Sequence, residues 1–290
     1  MSESSFPILM ATAPAALAVP ALALGACMGS FLNVVAWRLP RGQSFVRPPS
    51  HCPRCGTRLR WHDNLPILGW LLLGGHCRHC RTPIPVRYPA VELLAAGLWV
   101  ALLFARPEAM GSAPNPWLVV LAGWTLAAWL IPLVLVDLES MLLPEPLCRW
   151  GLISGLVATA VLGSLQGDGT ARALLLSHML AAALGLLGFE ALSALSEKAL
   201  GRPALGLGDA RLAALIGAWL GPLGLAVTVA LAVFGGALVG GVARLSGRLG
   251  PNQPFPFGPF LAAAALVVWI GGALPWVALT GLGPLLAPGV

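Results

Sequence analysis

The chain has 290 residues, of which 58% are hydrophobic and only 10% charged, with a mean hydropathy of +0.84. A soluble domain is nearer half apolar and about a quarter charged, so this composition excludes a soluble globular protein and describes an all-α polytopic membrane protein. The net charge of +6 does not imply nucleic acid, because the basic residues sit at the ends of apolar segments and no aromatics interleave them; beside an anionic lipid bilayer such charge sets topology.

Crossing the hydrocarbon core takes about 20 apolar residues as a helix. In chain order the candidate spans are 10–37, 88–105, 117–136, 147–163, 171–196, 209–221, 223–243 and 259–280, the sixth short enough to be a half-length or tilted helix. Only Glu3, and no basic residue, precedes the first. It therefore reads as a retained helix and not as a cleaved signal. The L-G-A-C stretch at 24–27 looks like a lipoprotein cleavage box but lies too deep in that segment to act as one. G-x-x-x-G spacings at Gly25/Gly29, Gly151/Gly155, Gly217/Gly221 and Gly236/Gly240 allow close helix packing without identifying a function.

Residues 38–87 interrupt the apolar pattern with nine of the seventeen Lys and Arg residues and four of the six cysteines. Positive charge stays on the cytoplasmic side. With this loop inside, Arg149, Lys198, Arg202, Arg211, Arg244 and Arg248 also fall inside, and only Arg106 and Arg172 are left outside. That bias supports about eight transmembrane helices with both termini outside. It puts the segments 137–149 and 197–209 on one, cytoplasmic, face. The expected organisation is a first transmembrane helix (1–37), a cytoplasmic loop domain (38–87) and a helical bundle (88–290), with no internal repeat.

Cys52, Cys55, Cys77 and Cys80 form C-x2-C-x21-C-x2-C. Each C-x-x-C presents two thiolates on one turn, and two such knuckles close a tetrahedron around Zn²⁺. Two disulfides or a redox dithiol are the alternatives. A reducing cytoplasm opposes disulfides, and no thioredoxin-like βαβ pattern flanks either pair. His51, His62, His76 and His79 share the loop, but four thiolates already fill a zinc shell, so they are expected outside it. Cys27 and Cys148 read as small buried residues.

Asp137 lies where the third span reaches the cytoplasm, and Asp209 just before a new apolar helix. Singly, Asp209 could cap the helix starting at Ala210, and Asp137 could pair with Arg149. Together, two carboxylates on one membrane face suggest an aspartic-protease pair, in which one keeps its proton while the other activates water. Gly206 and Gly208 leave the backbone beside Asp209 open to an extended peptide. Glu92, Glu139, Glu145 and Glu190 are rival carboxylates, Glu190 the deepest.

Seven motifs then fall in one order: residues 29–40 (G-S-F-L-N-V-V-A-W-R-L-P), the first cysteine knuckle at 51–56, 64–66 (N-L-P), the second knuckle at 76–81, 87–92 (R-Y-P-A-V-E), 206–209 (G-L-G-D) and 256–259 (P-F-G-P). In that order the chain resembles the type IV prepilin peptidases, the bifunctional prepilin leader peptidase/N-methyltransferases, from about residue 25 to 265. The resemblance implies a multi-pass G-x-G-D aspartic endopeptidase of the bacterial inner membrane with its active site facing the cytoplasm. It would remove the basic leader of prepilins or pseudopilins, then methylate the new N-terminus with S-adenosylmethionine. Asp137 and Asp209 match the catalytic pair, and Cys52, Cys55, Cys77 and Cys80 the metal tetrad. The region around Gly29, Asn33 and Arg38, with the loop, is similar to the part associated with methyl transfer. Two departures stand out: Arg211 where the family commonly has lysine, and L-P-E at 143–145 for the more usual L-P-D. A peptidase without methyltransferase activity, and a non-enzymatic transporter or scaffold with a zinc-stabilised loop, remain as alternatives; the retained cysteine loop favours two activities.

Overall fold

The computed structural model describes residues 14–105, 107, 115–201, 206–248, 250, 253 and 255–279. Glu3, Arg106, Arg202 and the outer ends of the first and last predicted spans lie outside the described residues. The described residues are helical, with only two isolated β-bridges and no strand. The chain divides into two compact units, Met1–Phe104 and Ala105–Val290.

The first unit holds α1 (Pro14–Arg38), a short α2 (Leu68–Leu72) and α3 (Arg87–Leu103). Small residues let α1 and α3 approach closely. A Cβ on Gly25 would come 2.7 Å from the Ala95 carbonyl oxygen, and one on Gly29 would come 2.8 Å from Glu92 Cα. The face of α1 bearing both glycines is therefore the packed one. Cys27 is exposed, against the expectation of burial, because two residues of helix turn it about 200° away from Gly25. Cys148 is buried as expected.

The second unit contains α4 (Pro116–Ser140), α5 (Glu145–Ser164), α6 (Asp168–Leu200), α7 (Leu207–Leu245), α8 (Gly258–Gly271) and α9 (Leu274–Leu279). Trp219 and Trp269 are wholly buried and meet edge to face, with ring centroids 5.8 Å apart. Helix α7 is broken at Gly221 (φ 65°, ψ −174°), directly before Pro222. Its neighbours show that the chain reverses there. Before the break, the backbone around Ala213 lies against Gly185 and Gly217 against Ala181, so this half runs antiparallel to α6. After it, Gly224 lies near Val268 and Gly236 near Phe257 and Phe260, so the second half runs back along α8.

A helix end buried away from water leaves carbonyls without donors. Here the ring of His178 (2% exposed) brings Nδ1 to 3.0 Å from the Ala218 carbonyl, and Thr159 Oγ1 lies 3.2 Å from the same nitrogen. The carbonyl can only accept, so Nδ1 carries the proton. A side chain on Gly221 would need a left-handed φ and would press 3.0 Å from His178 Nε2.

Five helices are long and apolar enough to cross a membrane, namely α1, α4, α5, α6 and α7. At 17 and 14 residues, α3 and α8 are shorter. The eight predicted spans thus do not reappear as eight full-length helices. The sixth and seventh share α7, one on each side of its break.

Candidate active site and metal centre

Residues 42–86, between α1 and α3, form a small lobe with little core of its own. Its buried residues are Cys52, Gly69, Gly75 and Cys77. The two knuckles are built alike. Cys52 N–H donates to Thr57 O (3.0 Å) and Gly56 N–H to Cys52 O (2.9 Å); Cys77 N–H donates to Thr82 O (2.8 Å) and Arg81 N–H to Cys77 O (3.1 Å). Gly56 and Arg81 occupy equivalent positions, with φ of 69° and 57°. The underlying H-C-x-x-C-x-T pattern occurs at 51–57 and again at 76–82, a local repeat that the sequence reading missed.

The four sulfurs lie within 4.8 Å of one another and could hold a metal ion. Cys52 and Cys80 Sγ are 3.7 Å apart, Cys55 and Cys77 Sγ 4.0 Å. A tetrahedron with metal–sulfur bonds of about 2.3 Å has edges of about 3.8 Å, so the donor set fits such an ion. The Thr82 hydroxyl, 3.3 Å from Cys80 Sγ, and the Thr82 backbone N–H hold the Cys80 thiol down to about 6. Thr57 lowers Cys55 in the same way. Thiolate is the ligating form. His51, His76 and His79 are exposed and no histidine belongs to the cluster among the described residues.

Polar contacts brace the lobe internally and fix it to its helices. Arg38, 7% exposed, donates from Nη1 to the carbonyls of Ser44 (3.1 Å) and Pro48 (2.7 Å). Arg78 Nε donates to both oxygens of Asp63 (3.1 and 3.2 Å), and this pairing holds the Asp63 carboxyl below the usual range. Glu92 Oε2 accepts the Ile67 N–H at 2.6 Å. Of the residues that the resemblance associates with methyl transfer, Gly29 and Asn33 lie one turn apart on the packed face of α1, while Arg38 is turned to the loop. Asn33 Nδ2 donates to Gly29 O (3.2 Å) and Tyr88 O (3.4 Å), but its buried Oδ1 has no partner. A buried acceptor left unmade costs about 1–3 kcal/mol.

In the second unit, each candidate aspartate accepts a backbone N–H at the start of a helix. Helix α7 begins at Leu207, so Asp209 is its third residue and not a cap before Ala210; its Oδ2 accepts the Gly206 N–H at 3.2 Å. Asp137 is 5% exposed and lies one turn before α4 ends at Met141, whose left-handed backbone (φ 53°) stops the helix. Its Oδ2 accepts the N–H of Gly258, the first residue of α8, at 3.1 Å. Each carboxylate thus satisfies an N–H that the helix itself cannot bond. Leu143, just past the end of α4, packs against Gly208. The two carboxylates lie within Coulombic reach of one another.

The rivals stand apart from this arrangement. Glu190 is exposed on α6, Glu139 is exposed, and Glu145 pairs with Arg149 at 3.4 Å, which removes Arg149 as a partner for Asp137. Glu92 belongs to the first unit. The role of Gly258 was not foreseen, although P-F-G-P carried the signal. A Cβ there would lie 2.6 Å from Asp137 Oδ2. Gly258→Ala is therefore expected to push the carboxylate aside and lower peptide cleavage by about 10²-fold, as a misplacement of about 1 Å can, in a turnover assay with folding checked by thermal melting.

Comparison with known proteins gives one picture. Residues 23–106 match the Bacterial Peptidase A24 N-terminal domain, and residues 124–241 the Type IV leader peptidase family. The chain is similar to the prepilin leader peptidase/N-methyltransferase of Myxococcus xanthus, 40% identical over 79% of this chain and 64% of that protein. The enzyme of the same name from Burkholderia pseudomallei is 35% identical over 90% of this chain and 87% of its own length. A type 4 prepilin-like proteins leader peptide-processing enzyme of Escherichia coli is 35% identical over 87% of this chain and 93% of its own length. No solved structure matches.

Proposed function

The chain belongs to the type IV leader peptidase family, and from that premise we propose that it cleaves the basic leader from type IV prepilins or pseudopilins and N-methylates the exposed residue. The observation that supports the peptidase half is that Asp137 and Asp209 each accept a backbone N–H at the start of a helix. One carboxylate takes a proton from water as it attacks. The other, protonated, donates to the scissile carbonyl. The two can exchange these parts. The substrate is itself an apolar helix with its leader in the cytoplasm, so its scissile bond comes to the membrane interface. Charge asymmetry supports the same placement, in the bacterial inner membrane with the aspartates facing the cytoplasm.

The transferase half draws on the first unit. Zinc is the ion we assign to the four thiolates, as a structural centre, because four sulfurs at tetrahedral spacing suit it. S-adenosylmethionine would supply an electrophilic methyl group. Asn33, whose unpartnered Oδ1 calls for a donor, fits a site that receives an amine-bearing ligand; Gly29 and Arg38 support it by packing and by holding the loop. A peptidase lacking the second activity is the reading that the intact lobe argues against. Mass spectrometry of a prepilin incubated with the purified enzyme and S-adenosylmethionine tests both halves. The expected product lacks the leader and carries one added methyl; intact substrate would overturn the proposal, and cleaved but unmethylated product would leave the peptidase alone.

A further inference from the structure

Two acceptors in the seam between α1 and α3 lack a cation. Glu92 is 7% exposed, and no cation pairs with it among the described residues; its polar neighbours are the Ile67 N–H and Ser30. Asn33 is 1% exposed. Its amide orientation is fixed, because Nδ2 faces two carbonyl oxygens, and a flip would set Oδ1 against both. Oδ1 is thus an acceptor with no donor. The contacts Gly29–Glu92 and Asn33–Tyr88 place the Glu92 backbone beside Gly29, one turn of α1 before Asn33, on the same seam.

From this juxtaposition of an unpaired buried carboxylate and an unpartnered amide oxygen, we propose that Glu92 and Asn33 form a binding site for a primary ammonium group, the new α-amine of the cleaved substrate. The assignment rests on the transferase reading above and names the acceptor side of that reaction. Asn33 Oδ1 and Glu92 hold the ammonium, and Glu92 takes one proton from it. The freed nitrogen lone pair attacks the methyl carbon of the sulfonium donor, the carbon–sulfur bond breaks with its electron pair going to sulfur, and a neutral thioether leaves. Glu92 also tethers Ile67, a β-branched residue held at φ 61°. Gln at position 92 keeps an oxygen for that N–H while losing the charge, which separates the two roles.

The experiment uses the full chain in detergent. Binding is measured for a peptide with the mature pilin N-terminus, free or N-acetylated, and for S-adenosylhomocysteine with and without its amino group. The wild type is expected to prefer the free amine about tenfold or more, as a hydrogen-bonded charge allows. Glu92→Gln is expected to abolish that preference, leave binding of the acetylated peptide and leader cleavage unchanged, and lower methyl transfer about 10²- to 10⁴-fold. Asn33→Leu removes the unpartnered acceptor together with the two Nδ2 bonds, so it should stay folded, as checked by thermal melting, yet also lose the preference. If both variants keep the preference, or the loss appears only with the amine of S-adenosylhomocysteine, the assignment is overturned. Failure of the wild type to cleave or methylate at all would instead sink the functional reading beneath it.

Discussion

Asp209→Asn is expected to lower kcat for leader cleavage by about 10²- to 10⁴-fold, the range that a positioned acid or base contributes, and Asp137→Asn to do the same. Asparagine keeps an oxygen for the Gly206 or Gly258 N–H, so both helix starts should survive and the melting temperature should change little. What is lost is the ability to exchange a proton. A single-turnover assay on a prepilin isolates the chemical step, and methyl transfer to a pre-cleaved peptide serves as the internal control. Loss of cleavage with methylation intact would establish the pair and separate the two activities. Normal cleavage by either variant would remove that residue from the mechanism and return Glu139, at the cytoplasmic end of α4, to contention. The double variant should be scarcely worse than either single one, because residues that act as a unit are strongly non-additive.

The second large effect concerns the lobe. Its four buried residues are two of the proposed ligands and two glycines, so the proposed metal–thiolate bonds would take the place of an apolar core. Structural zinc in comparably small units is worth about 10–16 kcal/mol of apparent binding free energy at pH 7, more than Asp63–Arg78 and the Arg38 tethers can replace. Stripping the metal with a strong chelator, or the paired change Cys77→Ser and Cys80→Ser, should therefore expose residues 42–86 to limited proteolysis and abolish methyl transfer, while the α4–α8 bundle keeps its leader-cleaving activity. Metal analysis should return one ion per chain before treatment. A lobe that stays protease-resistant without metal would show that its polar tethers suffice, and cleavage lost together with methylation would show that the two activities share the lobe.

Much of this protein was legible without a structure because the signals were strong and local. Twenty-residue apolar runs announce membrane helices on composition alone, since no other backbone arrangement satisfies itself there as simply. Two C-x-x-C pairs specify a metal geometry by spacing. Asp137 and Asp209 stood out as carboxylates where apolar runs meet polar loops. Even the boundary between the sixth and seventh spans was set by G-P at 221–222, although the helix runs on to both sides of it. The exposed Cys27 was misjudged because burial depends on which face of α1 meets α3, and only the packing of Gly25 and Gly29 decides that.

The sequence by itself determined the kind of protein and the four-cysteine cluster, and it singled out Asp137 and Asp209 as the candidate pair, because each rests on residue type and spacing along the chain. Tertiary structure alone decided that α7 turns back on itself under His178, that Gly258 holds Asp137, and that Glu92 and Asn33 share a seam. Gly258 lies 121 residues from Asp137, and no local periodicity encodes a contact made only when helices pack.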